Sequence, residues 1–280
     1  MTNAAPPADK ADDGRQKPPL VTSSIEAGVC TITLQDEARR NALSRQLVLQ
    51  LNATMDDADA DPAVRVIVIT NSGSVFCAGA DLSERSADRD TGSTSEDDEF
   101  GSDPLTLFKR IPESNKPYVG RIAGHCVAGG MGLAAAMDIS IAIEDVKMGF
   151  TEVRIGVAPA IISVLCLPKM NQADARDAFL RGRRFPASEA ARLGLINKAV
   201  RPEDLDSTVA GVVDDLLAAG PKALAAAKQL LARVPGMPTE KAFEWTGQLS
   251  GQLFRSDEAK AGMTAYLNKQ PAPWVPEKKY

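Results

Sequence analysis

Two short segments rich in glycine and alanine are the places in this sequence where backbone groups could do chemistry. Residues 124–142 read GHCVAGGMGLAAAMDISIA, so three glycines lie between a predicted strand and a predicted helix. Residues 76–82, FCAGADL, follow the apolar run VRVIVIT and the turn at 71–74. Glycine lets a backbone approach a ligand closely, and a helix N-terminus offers free N–H groups with partial positive charge. Two such points could supply converging donors for a phosphate or a developing oxyanion.

The glycine cluster has two other interpretations. Gly130, Gly132 and Ala135 match the G-x-G-x-x-G/A spacing of a dinucleotide site, but a helix from residue 131 to about residue 137 is too short for that βαβ unit. The glycines could also serve only to pack a helix tightly against a strand. The sequence has neither the G-K-[ST] ending of a P-loop nor a G-x-S-x-G elbow. An anion or oxyanion site and a packing role therefore remain open at this point.

Few side chains are suited to metal binding or nucleophilic catalysis. The chain has one histidine, His125, and four scattered cysteines without a C-x-x-C pair, so we expect no metal site and no disulfide framework. We expect His125 to be packed and hydrogen-bonded, and Cys77 and Cys126 to be inert. Because 37 Asp and Glu outnumber 32 Lys and Arg, the net charge of −5 argues against a nucleic-acid partner.

These segments must be positioned by elements that alternate between strand and helix. Alternating or β-branched apolar runs predict strands at residues 29–34, 64–70, 116–123 and 139–143. Ser44 can cap a helix with apolar residues at spacings of three and four, which ends at Asp61. This alternation favours an α/β fold with parallel strands.

The last third of the sequence has a different pattern. After about residue 186 the periodicity is helical only, and one apolar stripe comprises Leu205, Val209, Val212 and Leu216. Pro221 follows Gly220 and suits the first turn of a further helix. Helices appended to an α/β core often pack against neighbouring subunits.

Five motifs in order resemble the crotonase family, which is the enoyl-CoA hydratase/isomerase superfamily. They are residues 41–44 (NALS), 76–82, 124–142, 148–159 (MGFTEVRIGVAP) and 185–200 (FPASEAARLGLINKAV), and residues 256–267 (SDEAKAGMTAYL) resemble the closing helix. One motif alone would be weak, whereas five in sequence over about residues 20–270 are specific. The resemblance implies an α/β fold of the ClpP/crotonase type, with stacked ββα units and a helical C-terminal region.

The resemblance also implies an acyl-CoA thioester substrate and an enolate intermediate. The backbone N–H groups of Ala80 and Gly129 match the two donors that receive the negative charge on the thioester oxygen. Ala78, Asp81 and Leu82 match the loop around the adenine and pantetheine of CoA. Lys269 matches a lysine that meets the CoA phosphates in relatives, often across a subunit boundary. CoA arrives as part of the substrate, so no separate cofactor is implied.

The expected acid–base group is Glu152. Family hydratases use two glutamates around one water, and the matching positions here are Gly132 and Glu152. Only Glu152 is retained, but residues 151–163 (TEVRIGVAPAIIS) resemble the corresponding part of bacterial methylglutaconyl-CoA hydratases, some of which also have glycine at the Gly132 position. We therefore expect a hydratase that adds water to a 2-enoyl-CoA with one carboxylate. A Δ3,Δ2-enoyl-CoA isomerase using Glu152 is the alternative, and a non-catalytic acyl-CoA-binding protein is a further one.

The sequence suggests three parts. Residues 1–19 are polar and proline-rich and are predicted to be a disordered tail. The resemblance implies that residues 20–200 form a ββα core, with a mobile acidic loop at 83–103, and that residues 201–280 form a helical trimerisation region. By resemblance we expect a homotrimer or a dimer of trimers. The start of the sequence lacks the apolar core of a signal peptide, and the longest apolar run is shorter than the roughly 20 residues of a membrane span, so we expect a cytoplasmic protein without a membrane partner.

Overall fold

The computed structural model describes residues 18–84, 86 and 104–276. The predicted tail at 1–19 and the predicted acidic loop at 83–103 lie largely outside the described residues. The strands of the described part are β1 (Val21–Glu26), β2 (Val29–Leu34), β3 (Val66–Asn71), β4 (Val75–Cys77), β5 (Tyr118–Ile122), β6 (His125–Val127), β7 (Ile139–Ile143), β8 (Lys147–Gly149), β9 (Phe185–Pro186) and β10 (Lys198–Val200).

The helices surround two sheets. In chain order they are α1 (Arg45–Ala60), α2 (Pro104–Glu113), α3 (Gly129–Ala136), α4 (Ala160–Cys166), α5 (Gln172–Arg181), α6 (Ala187–Arg192), α7 (Leu205–Ala218), α8 (Pro221–Arg233), α9 (Thr239–Phe254) and α10 (Asp257–Leu267). Within the described residues, no helix is both long enough and apolar enough to span a membrane.

The larger sheet forms the centre of the molecule. Its strand order is β1-β2-β3-β5-β7-β10, and every pairing except β1 with β2 is parallel. All six residues of β3 are buried because helices cover both of its faces. One face packs against α7, and the other packs against α1 and the smaller sheet. The parallel α/β prediction is therefore confirmed.

The smaller sheet positions the site. Its order is β4-β6-β8-β9, in which β4, β6 and β8 are parallel and β9 is antiparallel. The register pairs Cys77 with Cys126, and Val127 with Gly149, so the chain leaves β4, β6 and β8 at one common edge. These strands have only three residues each, and such short runs carry no readable periodicity.

Several sequence predictions hold at the residue level. The strands at 29–34 and 139–143 have the predicted bounds, and the strand predicted at 64–70 begins at Val66. Ser44 Oγ accepts the Leu47 N–H at the start of α1, as predicted for an N-cap. Pro221 is the first residue of α8.

The prediction that only helices follow residue 186 is wrong. Strand β10 pairs in parallel with β7 and extends the larger sheet by a sixth strand. With three residues, it is too short for an alternating pattern to be recognised. In α7 the fully buried positions are Leu205, Val209, Val213 and Leu217, with Val212 and Leu216 half-buried beside them.

Helices α9 and α10 differ from the core because neither contains a buried residue. Phe243, Phe254 and Tyr266 are 76%, 68% and 83% exposed. The chain then returns to the core, where Arg65 donates to the carbonyl oxygen of Trp274 at 2.7 Å. The C-terminal region is thus helical, as predicted, and presents large apolar side chains to solvent.

Candidate active site

One cavity of about 1100 Å³ lies at the edge where β4, β6 and β8 end. The loops that leave these strands supply Ala80, Gly129 and Glu152 to its wall. Ala78, Asp81 and Leu82 also line it, so the structure brings together every site residue predicted from the sequence except Lys269. The predicted residues come from three separate parts of the chain, and the short sheet makes them neighbours.

Ala80 and Gly129 meet because glycine allows their two loops to touch. Gly79 has a φ of +88°, and a Cβ there would lie only 2.7 Å from Ala128 Cβ and 3.0 Å from Gly129 N. A Cβ on Gly129 would lie 3.7 Å from Ala80 N, which places the two backbone amides side by side. Within the described part of the chain, neither the Ala80 N–H nor the Gly129 N–H donates a hydrogen bond.

The start of α3 adds to this pair of donors. Ala128 has a φ of +52° and turns the chain from β6 into the helix, so Gly129 is the first helical residue. A first-turn N–H has no partner inside its helix and carries partial positive charge. The turn is tightly packed, because a Cβ on Gly130 would lie 2.5 Å from the carbonyl oxygen of Cys77. The glycines therefore serve close packing and also expose donors, and the two interpretations left open by the sequence are compatible.

The segment Asn41-Ala42-Leu43 holds the Ala80 loop in place. The Leu43 N–H donates to the carbonyl oxygen of Gly79 at 2.7 Å, and the Ala78 N–H donates to that of Arg40 at 3.2 Å. Asn41 is fully buried, and its Nδ2 donates to the Val75 carbonyl oxygen at 2.7 Å. These hydrogen bonds give the NALS motif at residues 41–44 its role, which is to anchor the loop.

Glu152 begins a 3₁₀ turn that spans Glu152–Ile155 and ends at Gly156, whose φ is +80°. Its Oε2 atom is buried and has no hydrogen-bond partner among the described residues. Burial raises the pKa of the Glu152 carboxyl above its ordinary value. A carboxyl group with a raised pKa and one unpartnered oxygen on a cavity wall is suited to acid–base catalysis.

Asp81 lies on the same cavity in different surroundings. Its Oδ1 atom accepts hydrogen bonds from Ser83 Oγ at 2.5 Å and from the Ser83 N–H at 2.9 Å. The Arg39 guanidinium lies 3.4 Å from Oδ2. The hydrogen bond from the Ser83 side chain is the main reason that the pKa of Asp81 is lowered. The Asp81 carboxylate therefore fixes the loop, and Leu82 beside it is 57% exposed.

The position that matches the second family glutamate is closed by apolar side chains. A Cβ on Gly132 would overlap Ile162 Cγ2 and would lie 3.3 Å from Phe108 Cε1. Ile162 and Phe108 are 3% and 5% exposed, and both line the cavity. Neither residue is recognisable from the sequence, because neither stands in a chemical motif and their proximity depends on how α2 and α4 pack on α3.

The cavity wall also contains several arginines that the sequence motifs did not predict. Five of them line the cavity, at positions 39, 40, 154, 183 and 184. Arg183 pairs with Asp177 and Glu189. No described side chain pairs with Arg40 or Arg184, so both guanidinium groups are available to an anionic ligand. A cavity with more cations than carboxylates attracts polyanions.

The remaining reactive side chains lie outside this chemistry. Burial raises the pKa of Cys77 and Cys166 to about 12, so both thiols stay protonated at neutral pH. His125 is exposed rather than packed, and its Nδ1 accepts the Lys147 N–H at 2.9 Å. Lys269 is exposed after α10 and is not part of the cavity wall of this single chain.

Comparison with known sequences decides the family. Residues 24–277 match the sequence model described as enoyl-CoA hydratase/isomerase. The chain belongs to this family. Members of this family are enzymes, and the resemblance seen in the five sequence motifs is thereby confirmed.

Individual members of the family agree with this assignment. The chain is 34% identical over 248 residues to a provisionally named enoyl-CoA hydratase of Thermus thermophilus, covering 88% of this chain and 98% of that protein. It is 32% identical over 239 residues to a crotonyl-CoA hydratase of Syntrophomonas wolfei, covering 84% and 90%. The crystal structure of an enoyl-CoA hydratase from Mycobacterium smegmatis superposes with a TM-score of 0.81 at 26% identity, covering 91% and 99%. The crotonase fold is therefore confirmed.

Proposed function

We propose that the protein is an enoyl-CoA hydratase that adds water to a 2-enoyl-CoA thioester, with Glu152 as its acid–base group. The observation that carries the proposal is a buried, unpartnered carboxyl atom of Glu152 on the same cavity as two unpaired backbone N–H groups. The names of the related proteins support hydration as the reaction.

Binding begins with the thioester carbonyl oxygen between the N–H groups of Ala80 and Gly129. The CoA portion extends past Ala78, Asp81 and Leu82, and the unpaired guanidinium group of Arg40 favours its phosphates. In a trimer or a dimer of trimers, Lys269 of a neighbouring subunit would reach the phosphates, and the exposed apolar faces of α9 and α10 would be covered. No metal or redox group takes part in this proposal.

In the first chemical step the Glu152 carboxylate removes a proton from water while the water oxygen bonds to C3. The C2=C3 electron pair moves towards the thioester, and the negative charge of the enolate develops on the carbonyl oxygen. Two fixed N–H donors stabilise that charge, and removing one such donor typically costs about 10²–10³ in rate.

In the second step the protonated Glu152 delivers its proton to C2, which collapses the enolate and restores the carbonyl. The elements of water have then been added across the double bond, and Glu152 is again a carboxylate. One carboxyl group can perform both transfers because the proton that it removes is the proton that it returns. Its raised pKa brings the two protonation states closer together in energy near neutral pH.

Isomerisation of a 3-enoyl-CoA is a second candidate, and the apolar closure at Gly132 favours it. Glu152 would take a proton from C2, form a dienolate that the same two N–H groups stabilise, and return the proton to C4. That reaction needs no second carboxylate to orient a water. Ile162 and Phe108 occupy the place where such a group would stand.

A product assay separates these candidates. The purified protein would be incubated with a panel of 2-enoyl-CoA and 3-enoyl-CoA thioesters in D2O, and products would be identified by mass spectrometry. We expect 3-hydroxyacyl-CoA with one deuterium at C2 from the 2-enoyl substrates. Formation of 2-enoyl-CoA from 3-enoyl substrates alone would assign isomerisation, and binding without any turnover would assign a non-catalytic acyl-CoA-binding protein.

A further inference from the structure

The side chain of Ile162 occupies the volume that a side chain at position 132 would fill. Ile162 belongs to α4 and Gly132 belongs to α3, so the two positions are brought together only by helix packing. A Cβ on Gly132 would overlap Ile162 Cγ2 and would also lie 2.9 Å from Ile162 Cβ. The two helices are therefore in contact at this point.

Phe108 of α2 completes the closure. Its Cε1 atom would be 3.3 Å from a Cβ on Gly132, and it is held by an apolar face of α2 that also buries Leu107 and Ile111. Ile162 and Phe108 are nearly inaccessible to solvent and yet line the cavity, so each has one face in the core and one towards a ligand.

This closure lies one helical turn beyond the proposed oxyanion donor. Gly132 follows Gly129 by three residues, which corresponds to about 4.5 Å along α3. An acyl chain whose carbonyl oxygen is bound at Gly129 and which runs along α3 meets Ile162 and Phe108 after its first few carbons. Both side chains are hydrocarbon, so they exclude a charged acyl terminus, whose desolvation would be uncompensated there.

We propose that Ile162, supported by Phe108, determines acyl specificity and restricts the enzyme to short, uncharged acyl groups. This inference rests on the proposed function, because it takes the thioester to be bound at Ala80 and Gly129. Ile162 acts in place of a side chain at position 132, and the two positions are coupled: one can be enlarged only when the other is reduced.

A graded series of variants tests the proposal. In the wild type, kcat/KM is expected to be highest for the four-carbon 2-enoyl-CoA and to fall for the six- and ten-carbon thioesters. Ile162→Val and then Ile162→Ala should progressively raise the ratio of ten-carbon to four-carbon kcat/KM, by about 10-fold or more for the alanine variant, since one methylene in an apolar pocket typically changes discrimination by about 10–200-fold. The matched control is Val164→Ala, which is on the same helix, is 75% exposed and does not line the cavity. Its ratio should equal that of the wild type.

A double-mutant cycle tests the coupling. Gly132→Ala alone should lower kcat/KM for the four-carbon substrate, because its methyl group must displace Ile162. The same substitution in the Ile162→Ala background should cost much less, which is the non-additivity expected of residues in contact. Equal costs in both backgrounds would overturn the coupling.

Binding of saturated acyl-CoA thioesters separates this inference from the proposed function. If the wild type turns over no enoyl-CoA, the proposed reaction is wrong. Titration calorimetry with butyryl-CoA and decanoyl-CoA would still measure how binding affinity depends on acyl-chain length. Tighter decanoyl-CoA binding by Ile162→Ala but not by Val164→Ala would support the assignment of Ile162. An unchanged chain-length preference in both turnover and binding would overturn it and leave the reaction assignment intact.

Discussion

Two carboxylates line the same cavity, and their surroundings move their pKa values in opposite directions. At the end formed by the β4 loop, Asp81 accepts two hydrogen bonds from Ser83 and faces Arg39, so its pKa is lowered. At the β8 end, Glu152 is half-buried and its Oε2 atom is buried without a partner, so desolvation raises its pKa. Carboxylates whose environments separate their pKa values commonly have separate roles.

The difference shows how one cavity can combine rigidity with reactivity. The Asp81 carboxylate accepts hydrogen bonds within the loop that presents the Ala80 N–H, so its role is structural. The Oε2 atom of Glu152 can still accept a hydrogen bond or a proton, because no described protein group is bonded to it. Such an unsatisfied group costs stability and persists where a ligand or a reaction uses it.

The largest expected effect comes from removing the reactive carboxylate. Glu152→Gln keeps the size of the side chain but cannot accept and return a proton, so kcat should fall by about 10²–10⁴, the usual contribution of a positioned acid–base group. The matched variant is Asp81→Asn, which should change kcat much less. Steady-state kinetics on the best enoyl-CoA substrate measures both. Equal losses for the two variants would contradict the division of roles.

The second effect concerns the two backbone N–H groups on the same cavity. Ala80→Pro removes one N–H and should lower kcat by about 10²–10³. Ala80→Gly keeps the N–H and is the control, with an expected loss of less than about 10-fold. A native circular dichroism spectrum must accompany the proline variant. A folded proline variant with near-normal turnover would show that Ala80 is not an oxyanion donor.

The two ends of the cavity also differ in how well sequence predicts them. The proposed oxyanion site uses backbone atoms, and its requirement for small residues is visible in the sequence as FCAGADL and as the glycines at 129–132. Glu152 was found because its motif matches a family pattern. In both cases the signal is local in sequence, so a motif contains it.

The apolar wall formed by Phe108 and Ile162 has no comparable sequence motif. Phe108 and Ile162 look like ordinary core residues, and only the packing of α2 and α4 against Gly132 gives them a shared position. The smaller sheet was missed for a related reason, because three-residue strands have no period to detect. Long strands and capped helices such as β2 and α1 were predicted well, since periodicity and capping are encoded within each element.

The raised pKa of Glu152 predicts the acid limb of the pH profile. As a base, Glu152 must be ionised, so kcat/KM should fall about 10-fold per pH unit below its pKa, with a midpoint above the ordinary value of 4.5. Asp81→Asn should leave that midpoint unchanged, because Asp81 stays ionised over the same range. An enoyl-pantetheine thioester lacks the adenine and the phosphate monoester of CoA and does not titrate in this range, so its kcat/KM profile reports the group on the free enzyme. A midpoint at or below 4.5 would contradict an apolar environment for Glu152 during catalysis.

The smallest expected effect is on stability, and its sign should differ between the two carboxylates. The folded-state pKa of Glu152 is raised, so the native state binds more protons than the unfolded state just above pH 4.5, and stability is lost as the pH rises through that window. Glu152→Gln should therefore raise Tm at pH 7 by about 2–4 °C, for a gain in the free energy of unfolding of roughly 1 kcal/mol, and this gain should vanish at acidic pH.

The folded-state pKa of Asp81 is lowered, so its contribution to stability is present above the ordinary value of 3.8 and is lost as the pH falls through the folded-state value. Asp81→Asn should accordingly lower Tm at pH 7 by a similar amount, with a smaller deficit near pH 3. Thermal unfolding of the wild type and both variants at several pH values measures this. If both variants shift Tm in the same direction at pH 7, the two carboxylates do not differ as described.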